Sequence, residues 1–417
     1  MSNKNDQTYY FQADWILPIV RPPIKNGIVG VENGVISYVG SGKKLKSAKK
    51  ITRLNGIILP GLVNAHTHLE HSILQGAIPH GSSIVQWYTL LDKKKLHFGI
   101  DDVISAIHFM MQKFYFEGIA AVGDHISNPL LIDKEYYKGI TGTGFFEINA
   151  AHSIIGMQQL KAVGNYSSGI KENDYKLHLG FASVSFSSKE FFSILRSWQL
   201  EHDAFRLLSI HCSQSQEEIG FFLTGKGEFR QYLADNGYLP SAYIPFGKRP
   251  LDVLHESRLL NEGTMLINPA YINKEEIKMI TAGKSNICWC PVSANWMHMP
   301  VVPIMELIKQ DVNVCLGTES SASNPTMSIW LEMAEAASVF PELLPEKILK
   351  MVTINGARAL KLDHLIGSII PGKLSRIGLL AIDNVSDNED ELYNQIIKYG
   401  YQYDWYWLED LLEDVEK

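Results

Sequence analysis

Residues 59–70 read LPGLVNAHTHLE, an apolar run that ends in two histidines one residue apart, His66 and His68. Alternate side chains of a strand share a face, so both imidazoles point the same way. Neutral imidazole is a standard ligand of zinc and similar divalent ions, and two of them converging at a strand end supply half of a metal site. The other half has to come from elsewhere in the chain.

Working outward, apolar runs of strand length recur at 57–66, 119–126 (IAAVGDHI), 140–150, 175–184 (YKLHLGFASV), 207–213 (LLSIHCS), 264–271 (TMLINPAY), 286–293 (NICWCPVS) and 312–318 (VNVCLGT). Helix-like stretches lie between them, such as 101–117, capped by Gly118, and 273–282, closed by Gly283. Eight strand–loop–helix units predict an α/β fold, a (β/α)8 TIM barrel, over 59–365. The ends read differently. Residues 1–58 hold short alternating segments with hairpin signals (IKNGIVGVENGVISYVGSGKK, 24–44), and 366–382 (IGSIIPGKLSRIGLLAI) repeat that style. These segments, 1–58 and 366–417, are expected to pair into one small β-sandwich domain. Within the second, 383–391 (DNVSDNEDE) reads as an acidic linker. Residues 399–412 place six Tyr and Trp in a short stretch, to be docked on the body of the protein or on a second copy in a homodimer.

Composition narrows the function. With 417 residues and 46% hydrophobic content the chain can bury a large core. A net charge of −7 without a Lys/Arg block excludes a nucleic-acid or acidic-membrane partner and favours a small-molecule substrate. The start has no basic segment followed by an apolar one, and no run of 18 apolar residues occurs, so the expected location is the cytoplasm. Four cysteines, Cys212, Cys288, Cys290 and Cys315, are too few for a disulfide scaffold and lie in apolar runs, where a thiol packs as a small hydrophobe.

Barrel enzymes place chemistry at the C-terminal ends of their strands. The polar residues there are His66 and His68 on strand one, His211 on strand five, Asn268 on strand six and Glu319 on strand eight, followed by Ser320. An unpaired carboxylate after the apolar VNVCLG is costly to bury, and a bound cation is one of the few partners that offset that cost. Three imidazoles and one carboxylate make a site for one divalent metal, with zinc first and iron or manganese as alternatives.

At this point the chain resembles the amidohydrolase superfamily, in the branch of cytosine, aminofutalosine and S-adenosylhomocysteine deaminases and triazine chlorohydrolases. Besides LPGLVNAHTHLE, the resemblance rests on CPVSAN (290–295), LGTESSASNP (316–325), TINGARAL (353–360) and GSIIPGKLSRIG (367–378). It implies that His66, His68 and His211 are metal ligands and that Glu319 stands in the place of a metal-binding aspartate. It also implies the barrel and the split β domain.

The chain departs from that pattern at four positions. Where the family has a proton-shuttling glutamate three residues after the strand-five histidine, this chain has Gln214, and an amide cannot carry that proton. Strand six ends in Asn268 and strand four in Phe181, where the branch has histidines. Glu319 is one methylene longer than aspartate, which predicts a carboxylate displaced by more than about 1 Å. Nearby replacements are His125 at the end of strand two, His71, and Glu217 and Glu218 in the next helical turn.

Two readings follow. In the first the protein is a metal-dependent hydrolase of a C–N bond other than a peptide bond. Its substrate is a small cyclic amine or amide, Glu319 serves as ligand and base, Gln214 and Asn268 lie in the catalytic set, and Phe181, His125 and Ser320 face the substrate. In the second it is a catalytically impaired relative that keeps the fold and binds a ligand or partner.

Overall fold

The computed structural model of the chain describes residues 8–42, 45, 50–132, 140–168, 176–203, 206–239 and 243–415. Strands buried on both faces need apolar side chains on both, and the eight central runs meet that demand. They form β1 (Leu62–His68), β2 (Ile119–Ile126), β3 (Thr141–Glu147), β4 (Lys176–Phe181), β5 (Leu208–His211), β6 (Thr264–Ile267), β7 (Asn286–Trp289) and β8 (Val314–Leu316). A two-residue continuation, Glu319–Ser320, follows β8. Neighbours in sequence are neighbours in the sheet throughout. β8 pairs with β7 (Ile287 opposite Val314), and its continuation pairs with β1 (Glu319 opposite Thr67, Ser320 opposite His68). One short stretch therefore borders both edges of the sheet and closes it into a TIM-like barrel. The backbone at the seam bonds to both sides, Gly317 N–H to the Trp289 carbonyl and Thr318 N–H to that of His66. Only glycine fits at 317, because a Cβ there would lie 2.6 Å from the His66 carbonyl oxygen.

The helices agree with the spacing closely. Ile100–Phe116 and Lys274–Gly283 replace the expected 101–117 and 273–282, and the Asn273 side chain caps the second by accepting from the N–H groups of Glu275 and Glu276. The run 57–66 does not form one strand. Ile57–Pro60 belongs to a different sheet from β1, and the break falls at Pro60–Gly61, where proline has no N–H to continue a ladder.

By internal contacts the chain divides into two compact units, residues 65–111 with 122–327, and residues 1–64 with 112–121 and 328–417. The second unit holds a four-stranded sheet built from residues 9–53. Its five-stranded sheet is ordered Trp405–Trp407, Ile377–Leu380, Ile57–Pro60, Trp15–Ile16, Ile24–Lys25. Both sheets contribute to one apolar cluster, including Phe11, Val29, Ile36, Ile58, Ile377 and Leu379. The last third of the segment read as an acidic linker is helix. Asn388 caps Glu389–Tyr399, and the three acidic residues of its first turn suit the positive end of the helix dipole.

The aromatic stretch docks within its own unit. Trp405–Trp407 pairs antiparallel with Ile377–Leu380, and the Trp405 ring lies where a Cβ on Gly378 would stand, 2.3 Å from the nearest ring atom. Trp405 is buried, so Trp405→Ala is expected to cost about 3–5 kcal/mol, measured as a lower denaturant midpoint. Among the described residues no helix is long and apolar enough to cross a membrane.

Candidate metal centre

The ends of β1, β5 and β8 bring four donors together. Glu319 Oε1 lies 3.3 Å from His66 Nε2, 3.2 Å from His68 Nε2 and 3.2 Å from His211 Nε2. All four residues are buried, and their donor atoms lie within 4.8 Å of one another. Donors about 2.0–2.2 Å from a tetrahedral ion stand about 3.3–3.6 Å apart, so the three oxygen–nitrogen separations suit a small divalent cation.

Hydrogen bonding makes a cation the natural partner. His211 Nδ1 lies 3.1 Å from the Phe181 carbonyl oxygen, which only accepts, so Nδ1 donates there and Nε2 is turned toward Glu319. Among the described residues neither ring nitrogen of His66 or of His68 has a hydrogen-bond partner, although both residues are buried. Burial holds His66 well below the ordinary imidazole pKa, with Glu319 opposing the shift. Burial opposes the charge on Glu319 too, but His66 and His211 hold its carboxyl well below the usual carboxylate range. A buried carboxylate oxygen that meets three ring nitrogens at this spacing suits a bound cation.

Glu319 reaches the cluster with its extra methylene. Its backbone takes φ 58°, in the left-handed region, so the chain turns at this residue and the longer side chain reaches the cluster. Its Oε2 accepts from Asn268 Nδ2 at 3.3 Å, while Asn268 Oδ1 accepts from Cys290 N–H at 2.8 Å. Asn268 thus lines the cavity but is held on both sides as a brace for Glu319.

The other candidates separate into two groups. Gln214 lines the same cavity, of about 310 Å³, as His68, His211, Asn268 and Glu319. Phe181 does not: its ring is fully buried against Phe191 and Phe192, because the last residue of β4 faces the helical layer, and only its carbonyl serves the site. Ser320 is also fully buried and is engaged by His71 Nδ1 (3.0 Å) and Ala322 N–H (3.2 Å), not by the cavity. His125 stands behind the ligands, edge-on to His66 with ring centroids 4.6 Å apart, and bonds Glu147 (3.0 Å) and Ser209 (2.7 Å). These three residues shape the site from behind instead of lining it.

Glu217 and Glu218 supply no replacement acid. Glu218 is buried and accepts from Gln214 N–H (2.9 Å) and Ser183 Oγ (2.8 Å), a helix-start role. Arg249, in the long connection after β5, is tied to Glu276 at 2.8 Å.

Missed in the sequence was the network beside His68. Buried Glu70 accepts from Lys95 Nζ (2.7 Å), Ser127 Oγ (2.6 Å) and the N–H groups of Ser127 and Asn128. His71 stacks on His68 with centroids 4.9 Å apart, and burial together with the Lys95 charge lowers its pKa to about 4. Neutral His71 accepts from Lys95 at Nε2 (3.2 Å) and donates to Ser320, which fixes the plane on which His68 rests. Lys95→Met would leave the Glu70 carboxylate buried without its cation, and a stability loss of about 3 kcal/mol is expected in urea denaturation.

The amidohydrolase family model matches residues 57–398, most of the chain. The chain belongs to the amidohydrolase family. Among curated relatives, this amidohydrolase is 24% identical to the 5-methylthioadenosine/S-adenosylhomocysteine deaminase of Saccharophagus degradans, over 94% of this chain and 87% of that one. It is 23% identical to the 5'-deoxyadenosine deaminase of Methanosphaera stadtmanae, over 87% and 83%. Among solved structures it matches an adenosine deaminase from Xanthomonas campestris with bound zinc (TM-score 0.79, 19% identity, 95% of this chain and 90% of that one). It also matches the aminofutalosine deaminase of Helicobacter pylori (TM-score 0.80, 18% identity, 94% and 96%). These similarities agree with the branch named from the sequence motifs.

Proposed function

We propose that this amidohydrolase hydrolyses a C–N bond, other than a peptide bond, in a small cyclic amine or amide, using one divalent metal, zinc first. The observation that carries this reading is the approach of three imidazole nitrogens to a single Glu319 oxygen at 3.2–3.3 Å on the wall of a cavity. A divalent ion bound there supplies Lewis-acid activation of water. The chain's own residues do the rest. His66, His68, His211 and Glu319 hold the ion, the Phe181 carbonyl fixes the His211 tautomer, and Asn268 orients Glu319.

The cavity wall supports a flat substrate. Trp87, Tyr88, Phe186, Tyr232 and Tyr238 line it, and the hydroxyls of Tyr88 and Tyr232 are spent on the Ala182 carbonyl and on Asp92, so the wall offers aromatic surface suited to a heterocycle. Tyr232 and Tyr238 come from the long connection after β5, which thus contributes a wall of the cavity. The relatives named as deaminases act on ring amines by name, and the same substrate class is assigned here. Residues 1–58 and 366–417 are taken as one small β-sandwich domain, supported by the apolar cluster their two sheets share. The cytoplasm remains the assigned location.

The second reading, a relative that binds ligand without turnover, is favoured by Gln214, which lines the cavity where the resemblance asks for an acid. One experiment separates the two: metal analysis of protein purified without chelator, followed by ammonia release from a panel of amino-substituted purines, pyrimidines and triazines. Bound metal with turnover supports the hydrolase. Bound metal without turnover supports the silent relative, and absence of metal sinks the metallohydrolase reading.

A further inference from the structure

Hydrolysis of a C–N bond needs a group that moves a proton to the departing nitrogen, and the positions that the family motif assigns to such work are taken here. Gln214 and Asn268 are amides, and neither transfers a proton. Both Glu319 oxygens are engaged, one by the imidazoles and the other by Asn268. Of the buried carboxylates nearby, Glu70 and Glu218 are each saturated by several donors. Asp92 lines the cavity but accepts from Tyr232 at 2.7 Å.

Glu147 differs from all of these. It is the last residue of β3, so the barrel delivers its side chain to the pole where the metal cluster lies. It lines the cavity, and Oε1 stands 3.9 Å from His68 Nδ1. His125 Nδ1 lies 3.0 Å from the same oxygen, and His125 Nε2 is in turn 2.7 Å from Ser209 Oγ. A carboxylate without a proton only accepts, so His125 Nδ1 donates to Glu147, and its Nε2 meets Ser209. The chain Ser209–His125–Glu147 fixes the carboxylate through one oxygen. Among the described residues Oε2 has no partner, and the side chain is 12% exposed, toward the cavity.

We propose that Glu147 is the catalytic acid/base of this protein, supplied from strand three in place of the residue missing at 214, with His125 as its positioning residue. The proposal rests on the hydrolase reading. The water oxygen bonds to the ring carbon, and one water proton passes to the Glu147 carboxylate and from it to the nitrogen on that carbon. The C–N bond then breaks with its electron pair on nitrogen, which leaves as ammonia or an amine, and the second water proton stays with the oxygenated product.

The test uses the metal-loaded full chain and whichever ring amine of the panel the wild type turns over. Glu147→Gln should lower kcat by about 10²- to 10⁴-fold while KM, bound metal equivalents and melting temperature stay near wild type. Glu147→Ala should lose a similar factor, and added formate should restore part of the rate, which no purely structural role would allow. Wild-type rates in Glu147→Gln overturn the proposal and leave the hydrolase reading standing. A fall in bound metal in that variant overturns it as well, by making Glu147 a metal ligand. A wild type that holds metal but releases no ammonia from any member of the panel overturns the hydrolase reading and the shuttle together.

Discussion

Alanine at His66 should leave a folded protein with under about a tenth of an equivalent of divalent metal, against about one in the wild type, and no measurable turnover. His66 is fully buried, neither of its ring nitrogens has another partner among the described residues, and its Nε2 is one edge of the cluster around Glu319. Removing it leaves two imidazoles and a carboxylate, with a void on one side. The same link appears in stability. A ligand present at about 100 times its Kd adds about 2.7 kcal/mol to the folded state, so chelator should lower the wild-type melting temperature and added zinc should restore it. His66→Ala should respond to neither. A variant that keeps a full equivalent would show that the metal, if bound, sits elsewhere.

Glu319→Asp should weaken metal binding by about 100-fold or more, although aspartate is the residue the family motif carries. Loss of a residue that merely orients a ligand already costs about 10- to 100-fold in affinity, and here a ligand itself is withdrawn. The reason lies in the backbone. At φ 58° the chain turns at residue 319, and the glutamate spans the gap to bring Oε1 within 3.3 Å of three nitrogens. Removing a methylene draws the carboxylate back by about 1 Å, more than a metal site tolerates. It also breaks the contact with Asn268. The competitive loss of zinc to a chromogenic chelator measures the effect. Equal or tighter binding by the aspartate variant would mark the glutamate as a defect of the site.

These two predictions also show where reading the chain succeeds and where it stops. His66, His68, His211 and Glu319 were legible because each follows an apolar run of strand length, and parallel strands deliver their ends to one pole. The strands themselves were overextended at their C-terminal ends: 264–271 is a strand only over Thr264–Ile267, and 286–293 only over Asn286–Trp289. Beyond those points the residues are buried by the site and the turn, not by a ladder, and burial alone does not distinguish the two. Phe181 was misplaced because motif position says which residue ends a strand, but not which face its side chain takes. The reach of Glu319 depended on a single backbone angle, invisible in composition or spacing. Glu147 carried a signal that was available, a lone carboxylate ending the apolar run TGTGFFE, but it lay outside every motif.

The seam of the barrel has a consequence in time. The stretch from Val314 to Ser320 zips the last edge of the sheet to the first and carries Glu319, so the fourth donor arrives only when the ring shuts. A chain still emerging from the ribosome, or one cut before residue 314, has three histidines and no carboxylate to complete them. On the proposed reading, metal capture acts as a latch on finished molecules. It should slow reopening of the seam more than it speeds closure, and in the loaded protein amide protons at Gly317 and Thr318 should be among the slowest to exchange.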